Sequence, residues 1–187
     1  MAMRIVAGAL KGRPLATPQS DAIRPTSERH RGALFDILAH GLGFRFEDAR
    51  VLDLFAGTGA LGLEALSRGC RFGVFVEDSA EGRGLIRTNV EAFGLGGRTK
   101  IMRRDATKLG PAGTMDPFDL VLADPPYGWR LGEAALAGAL EGGWLKPDAL
   151  LVLEEALGAP FEPIAGLDLA DERTMGETRL RFLRPAA

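Results

Sequence analysis

The stretch VLDLFAGTGALGLEALSRG, residues 51–69, is the point from which the rest of the chain can be read. Val51 to Phe55 is a short, mainly apolar run with one acid, Asp53, of a length suited to a buried strand in a parallel sheet. Gly57, Gly59 and Gly62 follow with GxGxxG spacing, and Leu61, Leu63, Glu64, Ala65 and Leu66 suit a helix closed by Gly69. Strand, glycine turn and helix open a nucleotide-binding βαβ unit. Glycines let the backbone approach a ligand, and the helix N-terminus presents unpaired N–H groups. The same spacing also occurs in glycine turns that serve only helix–strand packing, and a dinucleotide is the first ligand it suggests. The choice of ligand has to come from elsewhere in the chain.

At 187 residues the chain is expected to form one domain, with room for a small appendage. Its 46% apolar and 26% charged residues are ordinary for a globular protein. No apolar run approaches the roughly 20 residues needed to span a membrane. The start, MAMRIVAG, lacks the apolar core of a signal peptide, so a cytoplasmic location is expected. Cys70 is the only cysteine and reads as a small core residue. With His30 and His40 the only histidines, no His/Cys zinc site and no metal are expected. Charge is uneven. Residues 1–31 hold Arg4, Lys11, Arg13, Arg24, Arg29 and Arg31 against Asp21 and Glu28, a net +4 on a chain whose total is −2. A basic N-terminal arm on an acidic body suits an anion-binding accessory element, and a solvated mixed-charge surface is the plainer reading.

Met3 to Ala7 and Leu10 to Leu15 read as two short extended pieces around glycine, a hairpin or arm rather than a core element. Thr26 is placed to cap a helix running to about Ala39, with Ala33, Leu34, Ile37 and Leu38 as its apolar face. Beyond the opening motif, strands are expected at 72–76, 99–103, 118–123, 150–154, 167–175 and 178–183. Helices are expected at 80–93 and 131–140. The alternation predicts an α/β fold: a mostly parallel, seven-stranded sheet with helices on both faces and an antiparallel last strand, plus a small N-terminal hairpin and helix.

In such sheets ligands bind beyond the carboxyl ends of the strands. Asp53, Glu77, Asp105 and Asp124 all stand at or just past successive strand ends and are expected to converge on one crevice. Glu77 lies 20 residues after Gly57, the spacing at which a carboxylate accepts from ribose hydroxyls, which fits NAD and S-adenosylmethionine equally. Asp124-Pro125-Pro126-Tyr127 discriminates. Two prolines fix the backbone and offer acceptors without donors, which suits the hydrogens of a nucleobase amine, and Tyr127 offers a ring on which an extruded base can stack.

Together, VLDLFAGTGALGLEALSRG and ADPPY resemble a class I S-adenosylmethionine-dependent methyltransferase with a Rossmann-like fold. More closely, RIVAGALKGRPLATP, RPTSERHRGALFDIL, DLFAGTGALGLEALSRG, DPPY and MGETRLRFL resemble the RsmD family, whose members methylate the N2 amine of a guanine in 16S ribosomal RNA. One departure is Gly32, where the family commonly has an acid. The resemblance implies S-adenosylmethionine as cofactor, held by Asp53, Phe55, Ala56, Gly57, Thr58 and Gly59 at its methionine portion. Glu77, with Asp78 beside it, would hold the ribose, and Asp105 with Ala106 would meet the adenine. Asp124, Pro125, Pro126 and Tyr127 would be the catalytic segment. Arg4, Lys11, Arg13, Arg24, Arg29 and Arg31 would bind RNA, with residues 1–25 as a docking arm and 26–187 as the methyltransferase domain. The implied partner is 16S ribosomal RNA within an assembled or assembling small subunit, met by a monomer.

Three rivals stand beside this reading. An adenine-N6 methyltransferase shares DPPY, but the chain has no separate target-recognition domain. An NAD-dependent oxidoreductase leaves DPPY unexplained and lacks an evident hydride-transfer partner. A non-catalytic RNA-binding module does not account for an intact acid at every strand end.

Overall fold

A computed structural model describes residues 3–23, 26–127 and 130–187. In chain order the elements are β1 (Met3–Arg4), β2 (Pro14–Leu15), α1 (Glu28–Asp36), β3 (Arg50–Leu54), α2 (Ala60–Ser67), β4 (Phe72–Val76), α3 (Ala80–Ala92), β5 (Thr99–Met102), β6 (Phe118–Ala123), α4 (Leu131–Glu141), β7 (Leu145–Ala156), β8 (Leu167–Met175) and β9 (Thr178–Pro185). Seven strands form one sheet in the order β5-β4-β3-β6-β7-β9-β8, in which β9 alone runs opposite to the other six. The strand order reverses between β3 and β6, which opens a crevice beyond their carboxyl ends.

Alternation along each strand divides the core between the two faces of the sheet. Val51, Phe75, Leu120, Leu122, Leu150 and Val152 pack with residues of α1, α2 and α3. Leu52, Leu54, Val74, Val76, Val121, Ala123, Leu151 and Leu153 pack with α4 and Trp144 on the other face. By the same alternation Asp53, Glu77, Asp124 and Glu154 project toward the α1–α2 side. Cys70 is buried there, and burial pushes its thiol up to about 12, so it is an inert core residue as expected.

Three expectations need correction. Ser27, not Thr26, caps α1, its hydroxyl accepting from the His30 N–H at 3.1 Å. The N-terminal hairpin reduces to two-residue strands, and its root belongs to the core, with Met3, Ile5 and Leu15 buried in the cluster beneath α1–α3. Its backbone is bound to α2: Val6 and Ala7 N–H donate to Glu64 at 2.9 and 3.0 Å. β7 begins five residues earlier than expected. A register shift between Phe118 and Leu120 accommodates residues 145–149, Pro147 among them, beside β6.

Candidate active site

The glycine turn is shaped by what it must avoid. A side chain at Gly62 would begin 2.5 Å from the Phe75 ring and 3.1 Å from Asp53 Oδ2, so only glycine lets α2 lie this close to β3 and β4. Gly59 takes a left-handed φ of 81° as it turns the chain into α2; it packs against Ile86 and Phe75 and is not among the residues lining the cavity described next. Phe55 also has a positive φ, 55°, rare for an aromatic residue, and stands in the wall of the cavity described next.

Beyond the strand ends lies a cavity of about 540 Å³, within the range of cofactor sites. It gathers Asp53, Glu77, Asp105 and Asp124, together with Phe55, Ala56, Gly57, Thr58, Asp78, Ala106 and the segment Pro125 to Tyr127. Glu77 Oε1 accepts from the Gly57 N–H at 2.8 Å and Oε2 from the Ser79 N–H at 2.9 Å. Each oxygen keeps lone-pair capacity for a further donor. Asp105 accepts from the Thr107 hydroxyl at 2.7 Å and its N–H at 2.9 Å. These bonds hold its carboxyl below the usual range, so it stays an acceptor. Asp53 is the opposite case. Burial raises it well above the ordinary carboxylate value. The Gly62 N–H, 2.9 Å away, only partly offsets this, and Asp124 and Glu77 push in the same direction as burial. A cationic ligand group placed beside Asp53 would favour its ionised form. Tyr127 presents a ring that is 45% exposed at the cavity mouth.

Sequence reasoning missed the outer wall. Ala22, Ile23 and Thr26 line the cavity, with Ile23 packed near Gly57. The segment is anchored to α3, where Glu81 accepts from the Gln19 and Ser20 N–H groups at 2.9 and 3.1 Å and from the Ser20 hydroxyl. Thr26 Oγ1 lies 3.5 Å from Asp124 Oδ2, at the far limit of a hydrogen bond. The one signal in the sequence was Ile23, an apolar residue alone in a polar stretch.

The basic residues separate. Arg4, Lys11, Arg13 and Arg29 are exposed, although Arg13 also donates to the Ala92 carbonyl at 2.8 Å and lies over the Phe93 ring. Arg24 lies outside the described residues. Arg31, expected to contact RNA, is fully buried: Nε donates to Glu64 at 3.1 Å, and its other nitrogens donate to the Thr26 and Arg4 carbonyls. A phosphate cannot reach it without unpairing Glu64, so Arg31 is a structural residue.

A family model described as "Conserved hypothetical protein 95" matches residues 3–184. The chain belongs to that family, the RsmD family its motifs resemble. It is 35% identical over 188 residues to "Ribosomal RNA small subunit methyltransferase D" of Escherichia coli K12, covering 99% of this chain and 91% of that protein. The solved structure of yhhF from Escherichia coli superposes with a TM-score of 0.83 at 31% identity, covering 99% of this chain and 98% of that one. A "tRNA (guanine(6)-N2)-methyltransferase" of Thermus thermophilus is 40% identical over 120 residues, 58% of this chain and 35% of that protein. By family and fold, the chain is a class I methyltransferase. Among the described residues, no helix is long and apolar enough to cross a membrane.

Proposed function

We propose that this protein transfers a methyl group from S-adenosylmethionine to the N2 amine of a guanine in 16S ribosomal RNA, acting in the cytoplasm on an assembled or assembling small subunit. The observation that carries the reading is a single cavity lined both by the glycine turn with Glu77 and Asp105 and by Asp124 to Tyr127. A nucleoside cofactor and a base amine would meet in it at Asp124. The name of the Escherichia coli relative supports the RNA, and the name of the Thermus relative supports guanine N2.

The donor set fits the cofactor. Glu77 would accept from the ribose hydroxyls and Asp105 from the adenine amine. Asp53 would face cationic groups of the methionine portion, beside the backbone at Phe55 to Thr58. When bound, S-adenosylmethionine supplies a methyl group made electrophilic by its sulfonium leaving group. Asp124 and the Pro125 carbonyl would hold the hydrogens of the target amine so that its lone pair faces the cofactor side, and Tyr127 would stack on the base. Positive charge develops on the amine nitrogen during transfer, and an acceptor already in place stabilises it without reorganisation.

Transfer of labelled methyl to 16S RNA and to small subunits, followed by nucleoside analysis, tests the reading. The expected product is N2-methylguanosine, and N6-methyladenosine would overturn it.

Asp53 gives a pH signature. Its pKa is raised in the free protein and would fall beside a cation, so cofactor binding releases a proton at intermediate pH. Affinity is expected to rise with pH until the free-state pKa is passed and then to level off. Folding stability runs the other way. Above about pH 4 the unfolded chain has already lost the proton that folded Asp53 keeps, so Asp53 contributes progressively less favourably as pH rises toward its folded pKa. Asp53→Asn keeps an acceptor for Gly62 and is expected to raise the melting temperature of the free protein near neutrality while weakening cofactor binding. Calorimetry across pH, with both proteins, checks both signs.

Residues 1–25, with Arg29 on α1, would dock the RNA, and residues 26–187 would form the methyltransferase domain. Charge reversal at Lys11 and Arg29 is expected to weaken RNA binding and to lower the salt slope by about one per lost phosphate contact, as read from binding isotherms at several salt concentrations.

A further inference from the structure

A second recess, of about 230 Å³, adjoins the first and shares Thr26, Asp124 and Tyr127 with it. Its other walls include His30 and Glu154. The cofactor cavity lies on the β4 side of Asp124 and this recess on the β7 side. Ala123 pairs with Leu153, so Asp124 and Glu154 are the next residues on adjacent parallel strands. Strands in a sheet lie about 4.8 Å apart, and by alternation both side chains project toward α1.

Glu154 is 5% exposed. His30 Nε2 lies against its Oε1, and the His30 N–H donates to the Ser27 hydroxyl that caps α1. Oε2 is buried and has no hydrogen-bond partner among the described residues. A buried acceptor left unpaired is costly, and more so when charged, so its presence in a pocket wall calls for a donor from outside the fold.

We propose that Glu154, held by His30, is the guanine-specifying residue of the site, accepting the N1–H of the base whose N2 amine is held at Asp124. The inference rests on the functional reading given above. Guanine is the one common base whose exocyclic amine sits beside a ring N–H, so its edge offers donors to two neighbouring carboxylates. In adenine the amine flanks N1, and in cytosine it flanks N3, each carrying a lone pair. Either base, placed with its amine at Asp124, would set that lone pair against Glu154 Oε2. The Asp-Pro-Pro-Tyr segment accepts any aromatic amine, whereas the acid on the next strand admits only guanine. A site built to accept a particular N–H rejects the analogue lacking it far more strongly than a pocket discriminates by size.

The test uses RNA carrying 2-aminopurine at the target nucleotide, first located by mapping the wild-type product. This base keeps the 2-amine but bears a lone pair at N1. Wild-type kcat/KM is expected to fall by at least about 100-fold on 2-aminopurine relative to guanine. In Glu154→Gln the amide can donate to N1, so the ratio is expected to shrink to within a few-fold, with S-adenosylmethionine affinity unchanged. Equal use of the two bases by the wild-type enzyme would overturn the proposal, and so would an unchanged ratio in a folded, cofactor-binding Glu154→Gln. The wild-type comparison stands even if the variant does not fold. A product other than N2-methylguanosine would overturn the functional reading and this proposal together. N2-methylguanosine with no discrimination would overturn only the role of Glu154.

Discussion

Asp124→Ala is expected to reduce methyl transfer by about 10²–10³-fold while cofactor affinity changes little, the loss found when one preorganised group facing developing charge is removed. Asp124 is the acid common to the two recesses, with the Thr26 hydroxyl beside it and Pro125 buried behind it. Truncation would leave the target amine with the Pro125 carbonyl alone, so its hydrogens and lone pair would no longer be fixed. Asp124→Asn keeps one acceptor and is expected to lose less. Asp124 also opposes ionisation of Asp53, so removing it does not weaken the cation-binding side of the cavity. Single-turnover transfer, with cofactor binding followed by calorimetry, separates the two functions. Near-normal turnover in Asp124→Ala would sink its role, and loss of cofactor binding would move that role to the cofactor.

Arg31→Ala is expected to destabilise the fold by about 3 kcal/mol, because it removes one of the two guanidinium partners of the buried Glu64, leaving Arg68 alone, and takes the donors away from the Thr26 and Arg4 carbonyls. For a domain of this size that is a fall in melting temperature on the order of 10 °C. Glu64 also accepts from Val6, Ala7 and Arg68, so its rearrangement would loosen the N-terminal hairpin from α2. Arg29→Ala, two residues away and exposed, is the control. It is expected to leave stability within about 0.5 kcal/mol and to weaken RNA binding instead. Thermal denaturation and RNA titration of both variants distinguish them. A stable Arg31→Ala with reduced RNA affinity would return Arg31 to the RNA surface.

Much of the architecture is local information, which is why the sequence carries it. Phe118–Ala123 forms as its mainly apolar run predicts, bounded by prolines that cannot continue a strand. The four acids meet in one cavity because a parallel sheet brings every strand's carboxyl end to the same edge. The start of β7 is not legible because the irregularity that pairs residues 145–149 with β6 depends on the neighbouring strand.

The sequence by itself determined the strand–turn–helix unit, its glycine turn and the acids that line the cavity, since strand period, glycine spacing and proline stiffness act within a few residues. Only the tertiary structure decided which charges are available. Arg29 and Arg31 are alike in sequence, yet Arg31 is buried against Glu64, 33 positions away, and Arg29 is exposed. Likewise nothing in the sequence links His30 to Glu154. They become a pair, and a wall beside Asp124, only when α1 packs against the end of β7. Burial and long-range pairing set the electrostatic free energy of a side chain, and neither exists until the chain has closed on itself.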